Sequence, residues 1–286
     1  MLQQTQVATV VHYYNRWLRR FPDFASVARA SPNDVLRAWQ GLGYYKRAQN
    51  LHAASRLVQN QHLGTFPNNI TAIRKLPGVG RYTANAVATF AFDQSVPIVE
   101  ANTARVLARV FDMRLLIDSA IGREKLWEHA AQLVPKRNAA RFNSALVDLG
   151  ALLCLPNKPR CGICPVRKFC RAKNPETLPI KKFKPRMKRI IERHALVVSS
   201  GRILLERSST RWGGMWILPR LQTRQPGQAL YRSTFPFTHH RIALVVYGRG
   251  APKRIAANQR WFKSVDRVAM PSPHRRAVDA VARKFI

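Results

Sequence analysis

Apolar residues at Leu2, Val7, Val10, Val11, Tyr14, Trp17 and Leu18 recur at helical spacing, so the chain opens inside an amphipathic helix with no cap ahead of it. Ser31-Pro32-Asn33-Asp34 supplies an N-cap, a proline at the first helical position and an acid at the third, and predicts a helix ending at Gly41. The pattern predicts further helices over 51–62, 70–75, 83–90, 103–112, 124–134 and 143–155, and no strand alternation precedes residue 190. Residues 174–190 are rich in Pro, Lys and Arg and have no period, which predicts an interdomain linker able to lie along phosphates. Beyond it the runs 195–199, 202–206 and 242–247 are short and apolar or β-branched, the first two split by Ser200-Gly201 as in a hairpin. Trp212-Gly213-Gly214-Met215-Trp216 adds a glycine turn with two indoles. The chain therefore divides into an all-α domain over 1–173, a basic linker over 174–190 and an α+β domain over 191–286.

Charge narrows the partner. The 286 residues hold 49 Lys and Arg against 14 Asp and Glu, a formal charge of +35. That excess implies a polyanion, most economically nucleic acid, although a ribosomal or membrane-surface protein shares the signature. No apolar run approaches the ~18 residues of a membrane span. The opening hexapeptide lacks the charged start and apolar core of a signal peptide. The expectation is a soluble, cytoplasmic monomer. From residue 201 onward the only acids are Glu206, Asp266 and Asp279, too sparse for a catalytic Mg2+ site, so this half is expected to recognise rather than react.

The candidate chemistry centres on 76–102. Pro77, Gly78 and Gly80 prevent helix, and Thr83 then opens an Ala/Val-rich run. A Gly-x-Gly turn entering a helix presents bare N–H groups and a positive helix end, both suited to a phosphate. Glu100 follows as a lone acid between an extended apolar run and another helix. The plainer alternative is a helix–turn–helix corner with a solvated Glu. Upstream, Gly41-Leu42-Gly43-Tyr44-Tyr45-Lys46-Arg47 combines wedge-like side chains with cations that could enter a base stack and hold phosphates, or could simply anchor a helix corner.

All four cysteines lie between 154 and 170, as Cys154-x6-Cys161-x2-Cys164-x5-Cys170. Disulfides stapling so long a chain would not crowd into one segment. Zinc sites more often use two C-x2-C arms, and here one pair is close, so the spacing favours a 4Fe–4S cluster over zinc.

Taken together, the MLQQTQV start, GLGYY, LPGVGRYTA, the Val99-Glu100-x-Asn102 element and the cysteine spacing resemble the adenine DNA glycosylases of the helix-hairpin-helix base-excision repair superfamily. The tail resembles that family's Nudix-like C-terminal domain, through the WGGMW turn and Phe237-Thr238-His239 in place of Phe-Ser-His. The resemblance implies an all-α helix-hairpin-helix glycosylase domain carrying a 4Fe–4S cluster on Cys154, Cys161, Cys164 and Cys170, followed by an α+β Nudix-like domain that recognises 8-oxoguanine. It implies excision of adenine mispaired with 8-oxoguanine or guanine in double-stranded DNA. It places Gly78 and Gly80 on DNA phosphate, and Gln3, Gln4, Leu42 and Tyr44 in or beside the duplex around the extruded adenine. Tyr82 and Asn102 line the catalytic pocket. Glu100 stands where the family has its catalytic Asp, stabilising the oxocarbenium-like sugar. Thr238 stands where a Ser contacts 8-oxoguanine, with His239 beside it.

Two departures follow. The family's general acid is a Glu two residues before the Met that is Met1 here, so the expectation is either a true start upstream of Met1 or a degenerate protein with severely reduced excision. The other is Glu for Asp at position 100, which keeps the charge and lengthens its reach by one methylene. A bifunctional endonuclease-three-type lyase would need a Lys nucleophile where Tyr82 stands. A non-catalytic lesion-binding protein is the alternative from another class.

Overall fold

The structure is a computed structural model that describes residues 1–183, 187–223 and 227–281. In chain order the helices are α1 (Val7–Arg20), α2 (Phe24–Arg29), α3 (Pro32–Ala38), α4 (Lys46–Gln61), α5 (Ile70–Lys75), α6 (Arg81–Phe92), α7 (Ala101–Val110), α8 (Ala120–Leu133) and α9 (Ala139–Asp148). Strands β1 (Lys188–Ser199), β2 (Arg202–Arg207), β3 (Trp216–Ile217), β4 (Arg220–Leu221), β5 (Tyr231–Phe237), β6 (His240–Arg249) and β7 (Gln259–Phe262) follow, and then α10 (Ser272–Val281). They form two compact units, Met1–Thr65 with Pro185–Ile286, and Phe66–Lys184. Among the described residues no helix is long and apolar enough to cross a membrane.

The first unit joins the two ends of the chain around shared cores. Its mixed sheet runs β3-β2-β1-β6-β5, with β4 against β1 and β7 against β2. The long central pair, β1 and β6, is parallel, and the other pairs are antiparallel. Val10, Trp17, Val35, Leu36 and Trp39 from the N-terminal helices share one cluster with Trp212, Met215 and Ile217. Asn33 ties α3 to the C-terminal part twice, donating to the Arg267 carbonyl at 3.3 Å and accepting from Ala269 N–H at 3.1 Å. Of the two indoles of the WGGMW turn, Trp212 is core at 5% exposed, as is the fully buried Met215, whereas Trp216 is only half-buried.

Several elements differ from the periodicity reading. The opening helix begins at Val7 rather than at Leu2, because Gln4 has φ of 60° and turns the chain. Of its apolar stripe only Val10 and Trp17 are buried, while Val7, Val11, Tyr14 and Leu18 lie on the surface. Strand β1 starts at Lys188, inside the stretch expected to be linker. Earlier in that stretch Lys182 N–H donates to both oxygens of Asp118, at 3.0 and 3.1 Å. Lys184, Pro185 and Arg186 of the same stretch lie outside the described residues. Strand β5 escaped the reading because Pro236 interrupts its apolar pattern, yet it pairs with β6 from Tyr231 to Phe237.

The second unit is helical. Helices α5 and α6 form a hairpin through Leu76–Gly80, and their interface buries Ile73, Ala84 and Ala88 completely. Helix α7 packs Leu107 and Ala108 against α8 through Leu126 and Ala130. After α9 the backbone widens into one π-turn over Leu149–Leu153, which delivers the chain to Cys154.

Candidate active site

The hairpin turn is built as the glycine pattern requires. Gly78 has φ of +76°, a conformation a side chain would strain, and Gly80 is the N-cap of α6. Val79 N–H closes the turn on the Leu76 carbonyl at 3.1 Å. Gly78 and Gly80 are exposed, and their N–H groups have no acceptor among the described residues. An exposed row of free donors at the start of a 12-residue helix is an anion cradle.

The extended segment leading to Glu100 is held by buried polar side chains. Asn85 donates to the Pro97 carbonyl at 2.8 Å, and Thr89 donates to Gln94 and Val96 carbonyls at 3.3 and 3.2 Å. From α9, Asn143 donates to the Val96 carbonyl at 3.0 Å. So braced, the segment ends with Glu100 as N-cap of α7. Its Oε1 accepts from the N–H groups of Asn102 and Thr103, both at 2.8 Å, and Thr103 Oγ accepts from Glu100 N–H at 2.9 Å. This reciprocal capping box fixes the carboxylate at the positive end of a helix. Its second oxygen has no partner among the described residues.

Tyr82 and Asn102 join the carboxylate. Tyr82, in the first turn of α6, is 37% exposed. Burial, and then the charge of Glu100, raise its phenol above the ordinary value, so it stays a neutral donor. Asn102 lies in the first turn of α7 and accepts from Arg105 Nη2 at 3.0 Å, and its NH2 group has no acceptor among the described residues. The second unit therefore gathers Gly78, Gly80, Tyr82, Glu100 and Asn102 on two helix N-termini.

Behind them α7 grips the cysteine segment. Arg105 donates to the Cys154 carbonyl at 2.7 Å and to Gly150 at 2.6 Å. Arg109 donates to the carbonyls of Leu155 (2.7 Å), Pro156 (3.0 Å) and Leu178 (3.1 Å), and to Cys154 Sγ at 3.3 Å. Arg105 and Arg109 are 7% and 1% exposed, and neither forms an ion pair with a carboxylate among the described residues. Cys154, Cys161, Cys164 and Cys170 are free thiols lining one cavity of about 30 Å³ together with Arg109. Among the described residues no three His, Cys, Asp or Glu side chains converge on a single-ion site. Four thiolates on one zinc would sit within about 4 Å of one another, given Zn–S bonds of about 2.3 Å. Four cysteines around one hollow, with the buried Arg109 cation beside them, are a donor set that could hold a multi-iron cluster.

The first unit holds the other expected residues in two places. Arg47 binds the start of the chain to the Gly-rich turn. It donates to the carbonyls of Met1 (2.8 Å), Gln3, Leu42 (3.2 Å) and Gly43 (3.4 Å), and to Thr5 Oγ at 2.9 Å. This cation, expected beside phosphates, is spent inside the fold. Around it Gln3, Gln4 and Tyr44 are exposed, Tyr44 at 45% with φ of 46°. Leu42, expected at the duplex, is only 6% exposed and packs in the core, as does Tyr45. Thr238 and His239 form the exposed two-residue tip of the β5–β6 hairpin, with Thr238 at φ of 52°. The sequence reading missed Asn85, Thr89, Arg105 and Asn143 altogether. Their signal was polar side chains on otherwise apolar helix faces.

Comparison with known proteins places the chain in company. The family of HhH-GPD superfamily base excision DNA repair proteins matches residues 1–132. Adenine DNA glycosylase of Mus musculus is 44% identical over 173 residues, 60% of this chain and 34% of that one. Adenine DNA glycosylase of Buchnera aphidicola subsp. Acyrthosiphon pisum is 30% identical over 230 residues, 79% of this chain and 66% of that one. A solved thermostable thymine-DNA glycosylase superposes with a TM-score of 0.54 at 32% identity, covering 59% of this chain and 78% of that one. The chain spans only about a third of the length of the mammalian relatives it matches.

Proposed function

The chain belongs to the HhH-GPD superfamily of base excision DNA repair proteins, and on that premise we propose that it hydrolyses the N-glycosidic bond of adenine mispaired with 8-oxoguanine or guanine in duplex DNA. Relatives named adenine DNA glycosylase support the choice of base. The observation that carries the chemistry is Glu100: one oxygen is pinned by two backbone N–H groups and the other has no partner among the described residues. Departure of a base leaves positive charge on the sugar, and a carboxylate that cannot swing away stabilises that charge as it develops. Neutral Tyr82 and the free amide of Asn102 orient the everted nucleoside. The hairpin N–H groups hold the strand, and a chain of charge +35 draws the duplex in.

In this reading residues 1–173 perform the excision, 174–190 follow the backbone as a basic linker, and the Nudix-like 191–286 reads 8-oxoguanine through Thr238 and His239. Gln3, Gln4 and Tyr44 probe the opened pair, and Leu42 reaches the duplex only if the Gly-rich turn moves. Cys154, Cys161, Cys164 and Cys170 would hold a 4Fe–4S cluster, which when bound ties the 154–170 segment together. The protein works as a cytoplasmic monomer at the nucleoid.

The test is single-turnover release of adenine from an A·8-oxoguanine duplex, with the chain carrying whatever precedes Met1 in its gene. Glu100→Gln keeps an oxygen for the cap but removes the charge, and should slow release by roughly 10²–10³-fold with binding retained. Equal rates for both proteins would end the assignment of Glu100. Tight binding with no release by the parent would favour the lesion-binding reading. Borohydride should trap no covalent adduct, since Tyr82 offers no amine.

A further inference from the structure

The first unit contains a pocket of about 270 Å³ that the excision reading leaves unused. One wall is a single face of α4, where Gln49, His52, Ala53 and Arg56 lie at helical spacing. Opposite are Arg207 at the end of β2, Gly214 of the glycine turn and Trp216 of β3, over a floor that includes Val35 and Leu36. The walls are joined by Gln49, whose side-chain N–H donates to the Gly213 carbonyl at 2.6 Å.

Its charge is one-sided. Arg56 and Arg207 are exposed at the rim, and neither guanidinium has a hydrogen-bond or ion-pair partner among the described residues. Among the described residues no carboxylate lines the pocket. Asp34 on α3 is taken up by Arg20 and Arg37, and Glu206 beside Arg207 accepts from Arg220 N–H at 3.1 Å. Within the wall, His52 is 8% exposed and its Nε2 has no partner among the described residues. Two guanidinium forks beside a hollow of mixed lining that includes an indole are complementary to a phosphate attached to a flat heterocycle.

We propose that this pocket binds a nucleotide, its phosphate between Arg56 and Arg207 and its base against Trp216. The nucleotide is either free in solution or the end of a DNA strand, the shared chemistry being a phosphate ester and a stacked base. The proposal is independent of adenine excision, and its readout is binding alone.

The experiment is calorimetric titration of the full chain with dGMP, dAMP and inorganic phosphate, with thermal melting to confirm that each variant is folded. The parent should bind one dGMP, and Arg56→Ala and Arg207→Ala should each weaken it about tenfold. Arg232→Ala, an equally charged change on exposed β5 away from the pocket, should leave it unchanged. Trp216→Leu should weaken dGMP more than inorganic phosphate. A 5′-phosphorylated single strand that displaces dGMP assigns the site to strand ends, and one that does not assigns it to free nucleotide. No binding at millimolar dGMP, or equal losses in R56A, R207A and R232A, overturns the proposal. An unchanged dGMP-to-phosphate ratio in W216L overturns the base-stacking role and with it the nucleotide class.

Discussion

Two clamps position candidate DNA-facing groups in this protein, and they are built on opposite principles. At Glu100 the fixing bonds join residues two and three apart, and the helix end does the work. At Arg47 one side chain reaches back across 42 to 46 residues to hold Met1, Gln3 and Thr5 while also holding Leu42 and Gly43. A local clamp re-forms whenever its helix does. A long-range clamp exists only after two distant segments meet, and its loss frees both of them.

That contrast can be strained at several points. The largest expected effect is from Arg109→Met, which removes the donor to two carbonyls and one thiol of the cysteine segment and to the Leu178 carbonyl beyond it. Leaving those groups buried and unsatisfied should cost about 3–5 kcal/mol of stability in urea denaturation. If the Glu100 cap is as local as it looks, the folded fraction should still excise within a few-fold of the parent. Arg47→Met comes next, at about 2–3 kcal/mol, because its acceptors lie nearer to water. Here the local/long-range contrast predicts raised proteolysis near Gln3–Thr5 and weaker duplex binding, with the catalytic step little altered. Protection of both segments in the variant would show that Arg47 is not the tie.

A third effect comes from the buried His194 and His274, whose rings meet at 4.6 Å beneath Trp212 in the first unit. Burial depresses both imidazoles below their usual 6.5, His274 strongly and further by the neighbouring His194. The unfolded chain therefore binds protons that the native fold refuses. Stability should be fully present above about pH 6.5 and should fall as the pH drops toward the depressed native values, by up to about 1.4 kcal/mol per pH unit for each proton. Melting curves from pH 7.5 to 5 should show this slope, and His274→Gln should flatten it. The smallest effect belongs to Arg81–Glu124, a 2.8 Å surface pair with sides 39% and 60% exposed, where Glu124→Gln should cost less than about 1 kcal/mol.

The same division explains what could be read in advance. The LPGVG turn, the helix after it and the Ser31 cap are local devices, and residue order alone indicates them. The position of Glu100 as a lone acid before a helix was legible, but its capping box was not. That box depends on Thr103 turning back, a possibility a sequence shows without deciding. The cysteine spacing indicated a common site, while the two buried arginines that hold the segment gave no signal beyond their place on an apolar helix. For Arg47 the sequence leaves phosphate contact and helix corner open, because a cation beside a glycine turn looks the same whether it faces solvent or, as here, the backbone. Leu42 was placed outside for a similar reason: a wedge and a core residue have the same chemistry. The merging of residues 1–65 with the C-terminal sheet into one unit rests on contacts such as Asn33 with Ala269, more than two hundred residues apart.

Gly150 carries a last consequence. A side-chain carbon there would stand 2.8 Å from Asn102 Cβ and 3.0 Å from that residue's carbonyl. The wide turn that contains it lies flush against the first turn of the helix Glu100 caps, with its carbonyl taken by Arg105. A single added methyl would act as a shim between the turn that leads to Cys154 and the first turn of the helix that Glu100 caps, prising apart two segments almost fifty residues apart in the chain.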